Sequence, residues 1–149
     1  MQFTLSPNYG YVLLTSLAFY LMQNFVVVFP VLIARRKYSI KAPVQYPSDS
    51  LVKEKKLSQD DVHHYLCVQR AHENNVEFFS FFLPLYLVTG LFPDCTDHTI
   101  VSGLVILAFR LLGALGYPYG LRKFSGFFHL GEWYVLWMFG REAYKLTQG

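Results

Sequence analysis

Four apolar stretches divide the chain, and polar segments separate them. The first, residues 9–33, carries no charged side chain, and about 20 apolar residues are enough for a helix to cross the hydrocarbon core of a bilayer. The later stretches have similar lengths and end in turns that contain Pro, Gly or charged residues. The pattern predicts an all-α protein, an integral membrane four-helix bundle, with spans over residues 9–33, 65–91, 98–117 and 124–140 of a single membrane domain, 1–149.

The distribution of positive charge predicts the orientation of these helices. The segment 34–64 opens with Ala34-Arg35-Arg36-Lys37 and holds most of the cations of the chain. Short cytoplasmic loops are enriched in Lys and Arg, so this loop is expected on the cytoplasmic side. The turn 92–97 has two acids and no cation, which predicts the opposite side for it.

Composition supports a membrane protein and excludes some other classes. The chain is 53% hydrophobic and 15% charged, against roughly 25% charged in soluble domains. Its net charge of +3 comes without a basic patch interleaved with aromatics, so nucleic acid is not an expected partner. The segment before the first span lacks Lys and Arg, which argues against a cleaved signal peptide. Cys67 and Cys95 fall at opposite ends of one predicted helix, so no disulfide is expected between them.

The second predicted helix opens with a polar stripe. At about 100° per residue, Asn74 lies about 40° and Glu77 about −20° from Arg70, so the three side chains share one narrow face. A charged residue near the bilayer costs about 2.5 kcal/mol or more unless it is paired or faces protein or water. The stripe therefore predicts an inward-facing binding site. The alternative is a structural Arg–Glu pair that fixes helix register.

Topology brings further polar residues to the same membrane side. The first helix ends there with Arg35 and Arg36, and the third ends there with Arg110 and Tyr117, which share one helical face. Several cations with one carboxylate suit a small anionic ligand that also carries an ammonium group. Glutathione has this chemistry, and a nearby guanidinium could stabilise its thiolate.

Two other groups of residues are candidates for chemistry. His63, His64, Cys67 and His72 lie near one another on the second helix, but they do not supply a complete tetrahedral ligand set, so no metal is expected. Glu132 is an intramembrane carboxylate and therefore a functional candidate. Its alternative role is a hydrogen-bonded pair with His129.

The run from Cys67 to Glu77, C-V-Q-R-A-H-E-N-N-V-E, resembles the R-x-x-x-N-x-x-E/D signature of the MAPEG superfamily, membrane-associated proteins in eicosanoid and glutathione metabolism. It is most similar to the microsomal glutathione S-transferase 3 branch. The segments Tyr9 to Leu14, Ala34 to Tyr38, Ala42 to Tyr46 and Arg110 to Tyr117 extend the resemblance over nearly the whole chain.

The resemblance implies a homotrimer in the endoplasmic reticulum or a related internal membrane, with glutathione bound between protomers on the cytoplasmic side. Its ligands by motif would be Arg70, Asn74, Glu77, Arg110 and Tyr117, with Arg36 beside it across the interface. Gly113 and Phe78 stand where relatives commonly carry tyrosines. The arginine that relatives use to polarise the thiol has only shifted candidates here, Arg122 and Lys123.

The expected function is a membrane-bound glutathione transferase or peroxidase. It would conjugate lipophilic electrophiles or reduce lipid hydroperoxides that arrive from the bilayer, with glutathione as co-substrate. One alternative is a non-catalytic scaffold that binds and presents a lipid; Arg70 and Glu77 favour the enzyme, whereas Gly113 favours the scaffold. A third alternative is a channel or transporter subunit, which would not bind glutathione.

Overall fold

The computed structural model describes residues 4–120 and 126–148, and it is helical throughout these ranges except for turns and one loop. This confirms the predicted all-α class. The principal elements are α1 (Tyr9–Leu21), a π-helical segment (Met22–Val27), α2 (Val28–Lys37), α3 (Asp49–Glu54), α4 (Gln59–Leu91), α5 (Thr96–Gly116) and α6 (Phe128–Gln148).

Two long helical segments are apolar enough to cross a membrane, counting only described residues. They are Tyr9–Lys37, with 29 residues, and Pro93–Gly116, with 24 residues, and both have a mean hydropathy of 2.0. The other predicted spans fall in α4 and α6, whose charged residues lower their hydropathy. Their crossing of a membrane therefore remains a prediction.

The outer surface of the first two helices is strongly apolar. Leu14, Phe29 and Ile33 are 59%, 55% and 62% exposed. Contiguous apolar surface of this kind is rare on soluble monomers and marks contact with lipid or another chain.

The N-terminus of α4 is fixed by local hydrogen bonds. The Ser58 hydroxyl accepts from the Asp61 amide at 3.1 Å, and the Asp61 carboxylate accepts from the Ser58 amide at 3.1 Å. This reciprocal capping satisfies two amides that a helix start would otherwise leave unpaired. The hydrogen bonds from Ser58 also lower the pKa of Asp61.

The interior is built on aromatic side chains and close helix contacts. Phe19 of α1 lies 4.9 Å from Phe79 of α4, measured between ring centroids, and also contacts Tyr86. A Cβ on Gly103 of α5 would lie only 2.4 Å from the Tyr86 hydroxyl. Glycine at position 103 therefore lets α5 approach the Tyr86 ring of α4 closely, because any side chain there would clash with that ring.

Contacts at one end of the bundle show that successive long helices alternate in direction. Asn8, just before α1, donates to Asp97 at the start of α5 at 2.8 Å. Arg141, near the end of α6, approaches the Cys95 sulfur to 3.2 Å. The start of the first helix, the turn between α4 and α5 and the end of α6 therefore meet, and the other helix ends lie at the opposite end.

The last helix overlaps the predicted span 124–140 and continues beyond its C-terminal end. It begins at Phe128 and continues to Gln148, while residues 124 and 125 lie outside the described ranges. Its extension carries charges that satisfy one another: Glu142 lies 2.7 Å from Arg141 and 2.9 Å from Lys145. Hydropathy misses such an end because a helix can continue beyond its apolar stretch.

Candidate functional site

A cleft of about 770 Å³ opens between α4, the end of α5 and the start of α6. It contains four of the predicted site residues, from positions far apart in sequence: Asn74, Glu77, Arg110 and Tyr117. Gly113, Phe78, Phe128 and His129 also line it. Residues from three helices thus meet at one concave surface, of the size usual for small-molecule sites.

Arg110 is the fixed cation of the cleft. Its guanidinium carbon lies 3.8 Å from the ring centroid of Phe78 and 3.8 Å from that of Phe128, so two aromatic faces stabilise the charge. One terminal nitrogen donates to the Asn74 carbonyl at 3.3 Å. The Nε atom is buried and has no partner among the described residues, so Arg110 retains an unused donor.

Asn75 supplies a buried acceptor that sequence reasoning missed. The residue is 2% exposed and lines the cleft. Its amide nitrogen donates to the Ala71 carbonyl at 3.0 Å, whereas Oδ1 has no partner within the described part of the chain. An unpartnered buried acceptor is costly, and a ligand donor would satisfy it. Asn75 lies about 140° from Arg70 around the helix, so it does not belong to the polar stripe that the sequence pattern predicts.

Arg70 lies outside the lining of the cleft but contacts one of its residues. Its guanidinium is 3.1 Å from the Glu77 carboxylate and 3.3 Å from that of Glu73, and its side chain is 48% exposed. Both contacts lie within α4. Arg70 and Glu77 thus form an ion pair inside one helix, which is the contact that the alternative, structural interpretation of the stripe requires.

Glu73 is the second residue that sequence reasoning missed. It accepts from Gln69 at 3.0 Å and from the hydroxyl of Tyr46, and it thereby ties the loop before α3 to α4. The hydrogen bond to Glu73 raises the pKa of Tyr46. The available signal was the i, i+3 spacing from Arg70, which is typical of helical ion pairs.

The two arginines at the end of α2 do not line the cleft. Arg35 donates to the Val44 carbonyl at 2.8 Å and to the Tyr65 hydroxyl at 2.9 Å, so it holds the loop against α4. Arg36 is exposed. Within one chain the end of α2 therefore adds no side chain to this cleft, and the expected place of Arg36, across an interface between protomers, stays a prediction.

His129 and Glu132 form the hydrogen-bonded pair that was the alternative role for Glu132. The Nδ1 atom of His129 lies 2.5 Å from the carboxylate, and His129 lines the cleft. The two candidates for thiol polarisation, Arg122 and Lys123, lie outside the described residues.

The remaining candidate ligands form no larger cluster. Nε2 of His63 lies 3.5 Å from the Cys67 sulfur, but no group of three or more His, Cys, Asp or Glu side chains that could hold a metal occurs in residues 4–120 and 126–148. Cys67 and Cys95 are both buried and form no disulfide.

The chain matches a known protein family. The sequence model of the MAPEG family matches residues 13–142, which is most of the chain. No solved structure matches this chain.

Proposed function

Because the chain belongs to the MAPEG family, we propose that it is a membrane-bound glutathione transferase or peroxidase acting on lipophilic electrophiles or lipid hydroperoxides. Family membership indicates a role in glutathione or lipid metabolism in general, and the apolar helices agree with a membrane protein. The observation that carries the specific proposal is the convergence of Asn74, Glu77, Arg110 and Tyr117 on one cleft.

The chemistry of the cleft suits glutathione. Arg110 would take a carboxylate of the tripeptide, since guanidinium groups bind carboxylates through paired hydrogen bonds. Glu77, which is 61% exposed at its side chain, would take the ammonium group. Oδ1 of Asn75, which has no partner among the described residues, would accept from a peptide N–H of the ligand. Asn74 and Tyr117 complete the polar wall, and Arg70 holds Glu77 in place.

The proposal extends to the assembly and its location. Arg36 is exposed at the end of α2, where it could reach the cleft of a neighbouring copy in a homotrimer. The apolar outer surface of α1 and α2 would then contact neighbouring protomers and lipid. The cleft would face the cytoplasm from the endoplasmic reticulum or a related membrane, and the microsomal glutathione S-transferase 3 branch is the proposed subgroup.

Catalysis in this scheme requires an ionised thiol. A free thiol has a pKa of about 8.5, and nearby cations lower it. Arg122 and Lys123 are the proposed cations for this role. The thiolate would then attack an electrophilic carbon or a hydroperoxide oxygen of a lipid that enters from the bilayer.

Thiol ionisation in the purified, detergent-solubilised protein tests the function. We expect the thiolate absorbance of bound glutathione to appear at a pH well below 8.5 in the wild type, and we expect Arg70→Ala to weaken binding because it releases Glu77 and Glu73 together. A thermal unfolding scan of the variant shows whether it is folded. Absence of glutathione binding to the wild type would refute the transferase proposal.

A non-catalytic lipid-binding scaffold is the second candidate, and two residues favour it. Gly113 lines the cleft without a hydroxyl group, and Phe78 stacks on Arg110 without one. Relatives commonly carry tyrosines at these two positions, so two hydroxyl groups that could contact the ligand are missing here. The scaffold predicts that the protein binds a fatty acid and that the thiol of any bound glutathione keeps its ordinary pKa.

A further inference from the structure

The first turn of α6 places an imidazole and a carboxylate beside the cleft. Nδ1 of His129 lies 2.5 Å from Oε2 of Glu132, and His129 is one of the cleft residues. Because the carboxylate engages Nδ1, Nε2 is the ring nitrogen that can act on a ligand. A carboxylate that engages Nδ1 in this way fixes the tautomer and the orientation of the imidazole.

Neighbouring aromatic rings hold the imidazole. Its centroid lies 4.0 Å from that of Phe128 and 5.8 Å from that of Trp133. Phe128 is also one of the two rings that stack on Arg110. The imidazole and the fixed cation of the cleft therefore share a packing partner, and their relative positions are set by it.

A purely structural role for this pair has to be considered. The two residues are spaced i, i+3 at the start of a helix, where a carboxylate interacts favourably with the helix dipole. Such a role needs no access to a ligand. The side chain of His129, however, is 47% exposed and lines the cleft, while that of Glu132 is only 22% exposed. The imidazole is accessible and its carboxylate partner lies behind it.

We propose that His129, oriented by Glu132, is the general base that removes the thiol proton of glutathione in this cleft. The proposal rests on the proposed function, since it requires glutathione to bind there. His129 would be a catalytic residue, because Nε2 contacts the reacting thiol, and Glu132 would be a positioning residue.

The reaction balances without a further reactant when the electrophile is a lipophilic epoxide. Nε2 accepts the proton of the S–H group, which leaves a thiolate and an imidazolium. The thiolate forms a C–S bond with one epoxide carbon while the C–O bond of that carbon breaks. The imidazolium then returns its proton to the alkoxide, and the product is a β-hydroxy thioether.

A base and a cation differ in the fate of the thiol proton. If only a cation stabilises the thiolate, glutathione binding releases about one proton to the buffer for each thiolate formed. If His129 takes the proton, thiolate forms with little release. Among residues 4–120 and 126–148, the other titratable or charged groups that line this cleft are Glu77 of α4 and Arg110 and Tyr117 of α5. Variants of His129 must therefore be compared with the wild type at one pH.

The test combines thiolate absorbance with calorimetry in buffers of different ionisation enthalpy, which counts released protons. At slightly alkaline pH we expect the wild type to form thiolate with little proton release. His129→Gln should lose the thiolate signal, and conjugation of a lipophilic epoxide should slow about 100-fold or more, as for loss of a general base. Glu132→Gln, which keeps the imidazole, should lower the thiolate fraction to an intermediate value.

Binding of S-methylglutathione, which has no thiol proton, separates the possible outcomes. Both variants should bind it as the wild type does, which shows that they are folded and that the cleft is intact. Three results would overturn the role of His129 without refuting the proposed transferase function. They are an unchanged thiolate signal in His129→Gln, stoichiometric proton release by the wild type, and loss of S-methylglutathione binding in both variants. Failure of the wild type to bind S-methylglutathione would instead refute the proposed function itself.

Discussion

Arg110 shows how a single charged side chain is accommodated in an apolar helix. Two phenyl rings at 3.8 Å cover its faces, and the Asn74 carbonyl accepts from one of its nitrogens. A cation–π contact in a desolvated site contributes about 2 kcal/mol or more. The cation is therefore held without an acidic partner at hydrogen-bond distance among the described residues, and its electrostatic field remains available to an anionic ligand.

Replacing Arg110 with lysine tests the need for a planar cation. Arg110→Lys keeps the charge but loses stacking and the forked donor geometry, so glutathione affinity should fall about tenfold or more. Arg141→Lys is the matched control, because Arg141 also lies over an aromatic ring, that of Trp137, but at the other end of the bundle. Equal affinities for both variants and the wild type, measured by calorimetry, would contradict this role.

The hydrogen bond between Tyr46 and Glu73 predicts a pH dependence. Because Glu73 raises the pKa of Tyr46, this contact stabilises the fold below the ordinary tyrosine pKa of about 10 and is lost as pH rises through the raised value. The phenolate absorbance that disappears in Tyr46→Phe identifies the titration of this residue.

We expect Tyr46 to ionise above its ordinary pKa in the wild type and closer to that value in Glu73→Gln. The matched substitution Glu54→Gln, on α3, should leave the titration unchanged. Ionisation of Tyr46 at or below pH 10 in the wild type would show that the loop is not tied to α4 by this bond.

Helix packing, at the next scale, depends on small residues at crossing points. Gly103 of α5 leaves room for the Tyr86 ring of α4, and Gly131 of α6 lies where a Cβ would be 2.8 Å from the Ser102 carbonyl oxygen. These approaches set the spacing of α4, α5 and α6, the three helices that form the cleft. The geometry of the site therefore depends on packing deeper in the bundle.

Adding one methyl group at Gly103 should disturb this spacing. Gly103→Ala places a Cβ 2.4 Å from the Tyr86 hydroxyl, and overpacking of this kind costs about 1–3 kcal/mol. We expect a lower midpoint of thermal unfolding in detergent and weaker glutathione binding. Gly140→Ala is the control, since a Cβ there meets nothing within 4 Å, and it should be neutral or slightly stabilising. Identical unfolding of Gly103→Ala and the wild type would argue against close packing at this crossing.

Sequence patterns predicted the elements better than the contacts between them. The first apolar stretch, 9–33, falls inside the helical segment Tyr9–Lys37, because both follow from a long run of uncharged, mostly apolar residues. The last helix, α6, continues beyond the predicted span to Gln148, and ion pairs of Glu142 stabilise this charged extension. Hydropathy contains no information on such pairs.

The candidate site was predictable only in part, where its residues follow from the sequence pattern. Periodicity and membrane topology together grouped Asn74, Glu77, Arg110 and Tyr117, which line one cleft. Asn75 lies on another face of α4, and Tyr46 reaches Glu73 from a loop. The spacing of residues along one helix therefore predicts neither the place of Asn75 in the cleft nor the hydrogen bond between Tyr46 and Glu73. The stacking of Phe78 and Phe128 on Arg110 likewise depends on three helices packing together.

The whole molecule combines alternating helices with an apolar outer surface. Contacts of Asn8 with Asp97 and of Arg141 with Cys95 gather one set of helix ends, and the cleft lies toward the other end. If the bundle spans a membrane with the loop 34–64 in the cytoplasm, the C-terminal end of α6 lies on the opposite side. The charge distribution of the sequence supports this orientation.

Labelling of single cysteines in sealed microsomes tests the orientation. Ser50→Cys, in the loop, should react with a membrane-impermeant maleimide, whereas Thr147→Cys should react only after permeabilisation. Both native cysteines are buried, Cys67 at 9% and Cys95 at 0% exposure, so the wild type provides the background. Labelling of Thr147→Cys but not Ser50→Cys in sealed vesicles would reverse the proposed topology.

The most direct test of the central claim is calorimetric titration of glutathione onto the purified protein and two matched variants. Glu77→Gln removes the carboxylate proposed to hold the ammonium group, and Glu54→Gln makes the same change on α3, outside the cleft. Loss of a charge-assisted hydrogen bond costs about 1.5–3 kcal/mol, so Glu77→Gln should bind glutathione roughly ten to a hundred times more weakly, while Glu54→Gln should match the wild type. Equal affinity of all three proteins would show that the cleft is not the glutathione site, and no binding to any of them would refute the account.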